Sequence, residues 1–70
     1  MLLMTKIRKQ KGWSQSVLSH RSGVHVSTIS NIERGRLNPW PGQRTNIARA
    51  LEWPEDRADE LFEVLDHEPA

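Results

Sequence analysis

The stretch of residues 22–35, SGVHVSTISNIERG, carries side chains suited to reading another molecule at close range. Ile29 and Ile32 are its only pair of large apolar residues at helical spacing, so they mark the inner face of a short helix. The outer face has few of the Lys and Glu residues typical of a solvated helix, and instead carries Val26, Ser27, Ser30, Asn31 and Arg34. Short hydroxyl and amide groups let a helix lie close to the base edges of DNA. The pattern predicts a helix that enters the major groove, and an ordinary amphipathic helix with a serine-rich face is the simpler alternative.

Helix signals dominate the rest of the chain and strand signals are nearly absent. A first helix is predicted around Leu3 and Ile7 and stops at Gly12. A second runs from the N-cap Ser14 to about Arg21, and a third from about Val26 to Arg34. A fourth runs from Pro41 to near Leu51, and a fifth opens at Pro54. Gly23 and Gly35 suit the left-handed ends of the second and third helices. Two short helices joined by a tight turn are typical of a helix-turn-helix. We therefore expect an all-α, compact five-helix domain that spans residues 1–70, with residues 52–70 as an acidic C-terminal helix and tail.

Charge is distributed unevenly along the chain. Residues 1–51 hold nine Lys/Arg and one acid, Glu33, which gives +8, whereas residues 52–70 hold Arg57 and eight acids, which gives −7. A basic body favours a polyanionic partner, and the acidic segment must then face away from that partner. Mutual neutralisation of the two halves within the fold is the alternative.

The sequence offers no set of residues arranged for catalysis or metal binding. His20, His25 and His67 lack the spacing of zinc ligands, and the chain has no cysteine. Neither a glycine-rich phosphate loop nor a nucleophile–base pair is present. We therefore expect no enzyme activity, no metal, no cofactor and no small-molecule ligand. The three tryptophans, Trp13, Trp40 and Trp53, are expected to pack in the core or a dimer rather than to stack on single-stranded bases.

Three motifs resemble the Cro/C1-type (XRE-type) helix-turn-helix family of lambdoid phage repressor-like proteins: IRKQKGWSQSVLS, SGVHVSTISNIERGRLNP and IARAL. The resemblance covers residues 3–53 and rests on an ordered set of matches at Arg8, Gly12, Ser14, Gln15, Leu18, Gly23, Val24, Thr28, Ile29, Ile32, Glu33, Gly35, Pro39, Ala48 and Leu51. It implies a lambda repressor-like fold of four or five helices that binds operator DNA sequence-specifically, commonly as a homodimer.

The resemblance also implies roles for individual residues. Base reading is expected of Val26, Ser27, Ser30 and Asn31. Phosphate contact is expected of Ser14, Gln15, Arg34, Arg36, Asn38, Gln43 and Arg44, and Gln15 should also brace the third helix. Arg8 and Glu33 match a partly buried ion pair between the first and third helices, which accounts for the only acid in the basic half.

The sequence departs from the family pattern at three places, one of which is Val17, where the family often has a Glu that completes a capping box. His25 stands where the family often has Ser or Thr as an N-cap, and it predicts a weaker cap. Pro41 and Arg44 stand where the family usually places leucines in the fourth helix. We therefore expect Trp40 or Trp53 to fill the space, and Arg44 to be free to contact phosphate.

Two classes of function remain open at this point. The favoured one is a transcriptional regulator that binds double-stranded operator DNA and represses by occluding a promoter, as a homodimer that forms fully only on DNA. Apolar candidates for the dimer contact are Trp53, Leu61, Phe62 and Leu65, of which at least two must serve the monomer core. The alternative is an antitoxin-like protein-interaction module that uses the acidic C-terminal helix. No apolar run approaches the length of a membrane span, so we expect a cytoplasmic protein associated with the nucleoid through DNA.

Overall fold

The computed structural model describes residues 1–65, which form five short helices around one apolar core. The helices are α1 (Leu3–Gln10), α2 (Gln15–Ser22), α3 (Val26–Glu33), α4 (Pro41–Ala50) and a 3₁₀ helix (Glu55–Phe62). An isolated antiparallel β-bridge pairs Leu2 with Val64 near the two ends of this part of the chain. The expected all-α class is confirmed. His67 and the rest of the expected acidic tail lie outside the described residues.

Local sequence signals set the helix boundaries. The Ser14 hydroxyl accepts a hydrogen bond from the Val17 N–H at 3.1 Å and starts α2 as its N-cap. Gly23 ends α2 in the left-handed region at φ 74°, where a residue with a Cβ is strained. Pro41 takes the first position of α4, where the missing N–H has no helical partner to lose. The predicted boundaries of α2, α3 and α4 are therefore confirmed to within about two residues.

Every helix contributes side chains to the core. Its buried apolar members are Leu2, Met4, Leu18, Val24, Ile29, Ile32, Ile47, Ala48, Leu51, Ala58 and Leu61. In α1, Met4 and Arg8 lie on the buried side. Leu3 and Ile7, whose spacing predicts the helix, are only half-buried. This orientation follows from Arg8, since its guanidinium has to reach Glu33 on α3.

The fifth helix is not the α-helix expected from its sequence. It is a 3₁₀ helix with a kink at Arg57, whose φ of −118° is non-helical. The Trp53 indole N–H donates to the Arg57 carbonyl at 3.2 Å, at the position of the kink. Leu61 is fully buried and Phe62 half-buried, as expected for an inner face, but Leu65 lies beyond the end of the helix.

The tryptophans divide between packed and exposed positions. Trp53 packs against the core beside α4, so it is the residue that fills the space left by the missing leucines. Trp40 does not, because it is 74% exposed. Trp13 is half-buried, with the Lys11 ammonium and the Arg21 guanidinium 5.2 and 4.4 Å from its ring centre.

Thr5 on α1 places a hydroxyl in the core with no hydrogen-bond partner among the described residues. An unpaired buried hydroxyl costs about 1–3 kcal/mol, so Thr5→Val should raise the free energy of unfolding by about 1 kcal/mol in urea denaturation. Thr45→Val is the matched control, because the Thr45 hydroxyl donates to the Pro41 carbonyl at 3.1 Å and its loss should be neutral or destabilising. Destabilisation by Thr5→Val would mean that the Thr5 hydroxyl has a partner.

Candidate nucleic-acid interface

The outer face of α3 is accessible and carries no long acidic or lysine side chain. Ile29 and Ile32 are buried, with 0% and 1% of their surface exposed, and hold the opposite side of the helix in the core. Ser27, Asn31 and Arg34 are exposed, and Val26 and Ser30 are half-buried beside them. At about 100° per residue these positions share one side of the helix. The predicted base-facing residues therefore lie together on a surface from which short polar groups can reach a partner.

A charged network fixes α3 to the rest of the fold. Arg8 binds Glu33 through two hydrogen bonds, Nε to Oε2 at 2.9 Å and Nη2 to Oε1 at 3.0 Å. Only 9% and 6% of the two side chains are exposed. The remaining Arg8 nitrogen, Nη1, donates to the Trp13 carbonyl at 2.7 Å. Because both charges are buried and fully engaged, the network sets the position of the α3 C-terminus relative to α1.

Gln15 joins this network from the start of α2. Its side-chain amide nitrogen donates to Glu33 Oε1 at 2.8 Å, so α1, α2 and α3 meet at one carboxylate. An amide nitrogen has two N–H groups, and the second is left for another acceptor. The bracing of α3 by Gln15 is thus visible in the structure, whereas its contact with phosphate stays a prediction.

His25 caps the N-terminus of α3, where sequence alone predicts a weak cap. The ring nitrogen Nδ1 accepts a hydrogen bond from the Ser27 N–H at 3.2 Å and lies 2.8 Å from the Ser27 hydroxyl oxygen. The imidazole therefore acts as the side-chain acceptor that Ser or Asp supplies at most N-caps. N-cap preferences favour short polar side chains and therefore do not predict a histidine cap.

Most of the predicted phosphate-binding residues lie at the surface. Ser14, Arg34, Arg36 and Asn38 are exposed. Gln43 is half-buried at the start of α4, where its Oε1 accepts from the Trp40 N–H at 3.0 Å and leaves its amide N–H groups as donors.

Arg44 is not free, contrary to the expectation from sequence. Its Nη1 donates to Asp59 Oδ1 at 2.8 Å and its Nε to the Pro39 carbonyl at 3.0 Å. The guanidinium also lies 5.4 Å from the centre of the Phe62 ring. These contacts tie α4 to the 3₁₀ helix, an arrangement that depends on residues far apart in sequence.

Within residues 1–65, the acidic segment neutralises part of the basic half. Its acids pair with three of the basic residues that precede them, in the pairs Lys11–Glu52, Arg44–Asp59 and Arg49–Glu55. The hydrogen bond and charge of Glu55 raise the pKa of Arg49, and those of Glu60 raise the pKa of Arg57. The alternative of internal neutralisation is therefore partly right.

The arginines at the C-terminal end of α3 differ from those of α1 and α4. The 3₁₀ helix packs against α4 and α1, whereas α3 packs against α2. Within residues 1–65, Arg34 and Arg36 form no ion pair. Two exposed guanidinium groups thus remain at the C-terminal end of α3, beside its short polar face.

Metal binding and membrane insertion have no visible basis in the described part of the chain. Residues 1–65 bring together no group of three or more His, Cys, Asp or Glu side chains that could hold a metal ion. The helices of the same part are all too short or too polar to cross a membrane.

Comparison with known proteins agrees with this geometry. The family model described as Helix-turn-helix matches residues 4–52. The chain is 47% identical over 45 residues to the uncharacterized HTH-type transcriptional regulator y4dL of Sinorhizobium fredii, a match that covers 64% of this chain and 23% of the relative. It is 37% identical over 46 residues to the uncharacterized HTH-type transcriptional regulator y4dJ of the same organism, which covers 66% of this chain and 60% of the relative.

Both relatives are longer than the region they share with this chain, which spans 23% and 60% of their lengths. No solved structure matches this chain significantly. The family match nevertheless includes α1 to α4, with the turn at Gly23 between α2 and α3 and the network that holds α3. The chain therefore belongs to the helix-turn-helix family, of the Cro/C1 type that its motifs resemble.

Proposed function

We propose that this protein regulates transcription by binding double-stranded operator DNA sequence-specifically, with α3 in the major groove. The observation that carries the proposal is the outer face of α3, which combines short polar side chains with two exposed arginines, Arg34 and Arg36, at its end, neither of which forms an ion pair within residues 1–65. The two relatives are named as transcriptional regulators, and that role fits a face of this kind. Long charged side chains would hold a helix away from the base edges, and none stands between Val26 and Asn31.

In this mode of binding the residues divide into two groups. Base edges are read by Val26, Ser27, Ser30 and Asn31. The sugar-phosphate chain is contacted by Ser14 and Gln15 at the start of α2 and by Arg34, Arg36, Asn38 and Gln43 after α3. Phosphate contacts supply much of the affinity, and base contacts supply the discrimination. Arg44 would have to leave Asp59 to reach a phosphate, and we do not include it.

Repression by occlusion of a promoter is the mode of regulation we propose. A bound domain covers its site and thereby excludes the polymerase without further contacts. The exposed residues early in α2 are Ser16 and Val17. Neither carries a negative charge. Some members of the family that the motifs resemble activate transcription through acids early in the second helix, so the residues found here favour repression.

Selection of bound duplexes from a random pool, followed by gel shifts with random competitor, tests the proposal. We expect a short motif to be enriched, and the selected duplex to stay bound in competitor that removes random DNA. Specific sites are typically bound 10³–10⁷-fold more tightly than random ones. Absence of any DNA binding at low salt would contradict the proposal and favour a protein-interaction module.

We further propose that two copies bind one operator. A single recognition helix reads only about half of a typical site, and a two-fold dimer places two such helices one helical turn apart. Of the candidates for the dimer contact, Leu61 is buried in the core and Trp53 and Phe62 are half-buried against it, so at least two serve the monomer as expected. The apolar groups left at the surface include Leu37, 39% exposed, and Val64, 64% exposed.

These two residues flank a groove of about 160 Å³ between the α3–α4 loop and the end of the described chain. It is lined by Leu2, Ile32, Gly35, Leu37, Asn38, Pro39, Phe62 and Val64. We propose that this groove contacts the same groove of a second copy. The loop that forms one of its walls also carries candidate phosphate contacts, so two copies joined there would both lie close to the DNA. Glu63 beside it would face its own copy across a two-fold axis, so the dimer should be weak without DNA.

Val64→Glu should therefore reduce the saturated complex from two chains per selected palindrome to one, while binding to a half-site persists. A buried, unpaired carboxylate at a two-fold contact is strongly unfavourable. Sedimentation of the complex at saturation measures the stoichiometry. Gln10→Glu, an equal change of charge at an exposed position of α1 outside the groove, should leave two chains bound. One wild-type chain per palindrome would contradict the dimer.

A further inference from the structure

His25 and Ser27 form a small hydrogen-bonded unit at the start of α3. Both side chains are exposed, and the Nδ1 nitrogen of His25 contacts both the N–H and the hydroxyl oxygen of Ser27. The distances are 3.2 Å to the backbone nitrogen and 2.8 Å to the hydroxyl oxygen. The unit therefore joins the helix cap to one of the candidate base-reading residues.

The two contacts together select one tautomer of the imidazole ring. A backbone N–H can only donate, so Nδ1 must offer its lone pair and the ring proton must lie on Nε2. The hydroxyl oxygen then faces that same lone pair at 2.8 Å, and it avoids repulsion only by donating its own proton. With a proton on Nδ1 instead, the Ser27 N–H would point at another N–H. Only the Nε2–H tautomer satisfies both contacts.

This arrangement determines what the Ser27 hydroxyl can offer to DNA. A serine hydroxyl ordinarily donates or accepts, so serine reads bases ambiguously. Here the single proton is used on His25, and the exposed side of the oxygen presents lone pairs alone. In the major groove such an acceptor pairs with the amino group of adenine or cytosine, and not with the acceptors of guanine or thymine.

We propose that His25 is a specificity-determining positioning residue that makes Ser27 an acceptor and so selects an amino-bearing base. The inference rests on the proposed function, since it assumes that Ser27 faces a base edge. It goes beyond that function by assigning the chemical class of base at one position and the residue that sets the class. His25 acts through Ser27 and needs no contact with DNA of its own.

The first test compares base preferences in selections from random duplex pools. The position read by Ser27 is the one whose preference Ser27→Ala abolishes. There the wild-type protein should favour adenine or cytosine over guanine or thymine by about tenfold, the effect of one well-formed hydrogen bond. His25→Ala should reduce this ratio to within about twofold, because the freed hydroxyl can then donate as well as accept.

Two control variants separate this role from others. His25→Asn keeps a side-chain oxygen that accepts from the cap N–H and from the hydroxyl, so it should retain the wild-type preference. Thermal unfolding of each variant shows that binding is measured on folded protein. His20→Ala, which removes an exposed histidine from α2, should change nothing. Retention of the preference by His25→Ala, or its loss in His25→Asn, would overturn the inference.

A second test needs no DNA. Long-range ¹H–¹⁵N correlations of the His25 ring at pH 8 should show Nε2 protonated and Nδ1 unprotonated in the free protein. A ring that is mainly protonated on Nδ1 would overturn the inference and leave the proposed function intact. Failure to enrich any motif with the wild-type protein would instead remove the proposed function, so the two failures are distinguishable.

Discussion

Arg8→Met is expected to lower the melting temperature by about 15 °C. The substitution keeps an unbranched side chain of similar length but leaves Glu33 buried at 6% exposure without its cation. Breaking a buried ion pair costs about 3–5 kcal/mol, and a domain of this size loses roughly 4–8 °C per kcal/mol. The measurement is thermal unfolding followed by circular dichroism at neutral pH. An unchanged melting temperature would mean that the pair contributes nothing to stability.

Two further variants identify the cause of this loss. Lys6→Met removes a cation from an exposed position of the same helix and should shift the melting temperature by only a few degrees, within about ±0.5 kcal/mol. The double variant Arg8→Met, Glu33→Leu should be more stable than Arg8→Met alone, because no charge is then left buried without a partner. If the double variant is as unstable as the single one, lost packing and not the stranded charge is responsible.

Asn31→Ala should weaken binding to the selected site by about 1–3 kcal/mol, or roughly 5- to 150-fold, and leave binding to random DNA nearly unchanged. Asn31 is exposed on the outer face of α3, and its amide can donate and accept in the groove. Gel shifts on the selected and a scrambled duplex measure the two affinities. Equal loss on both duplexes would exclude Asn31 as a base-reading residue.

Arg36→Ala is the matched variant for a phosphate contact. It should weaken binding to the selected and scrambled duplexes alike and reduce the slope of log K against log salt by about one. Arg36 is exposed and outside every ion pair of residues 1–65, so its removal should leave the fold intact. A loss confined to the selected duplex would instead place Arg36 at a base edge.

The parts of the fold that sequence predicts well are those set by local chemistry. Ser14 and Gly23 delimit α2, and Pro41 opens α4, because capping and backbone restrictions act within a few residues. Ile29 and Ile32 identify the buried side of α3 by spacing alone, and so place Ser27 and Asn31 on its accessible side. The candidate site is therefore visible in the sequence to the extent that it lies on one short helix.

The features that sequence misses depend on contacts between distant residues. Sequence alone predicts a free Arg44, because the carboxylate of Asp59, which binds it, follows fifteen positions later on another helix. The kink at Arg57 lies where the Trp53 indole binds the backbone, and no periodicity signals it. The choice between Trp40 and Trp53 as the packed tryptophan likewise depends on how α4 meets the 3₁₀ helix. His25 was underestimated as a cap because its ring works through a geometry that residue preferences do not describe.

DNA reading by α3 is tested most directly by a map of backbone amide shifts in the ¹⁵N-labelled protein as selected duplex is added. The largest changes should fall on residues 26–36 and on the start of α2 at Gln15. Residues 55–60 of the 3₁₀ helix should change little, because this helix packs on α4 and α1 and these residues lie outside the groove proposed for the dimer. Changes centred on the 3₁₀ helix, with α3 unaffected, would contradict the claim that α3 is the surface that reads DNA.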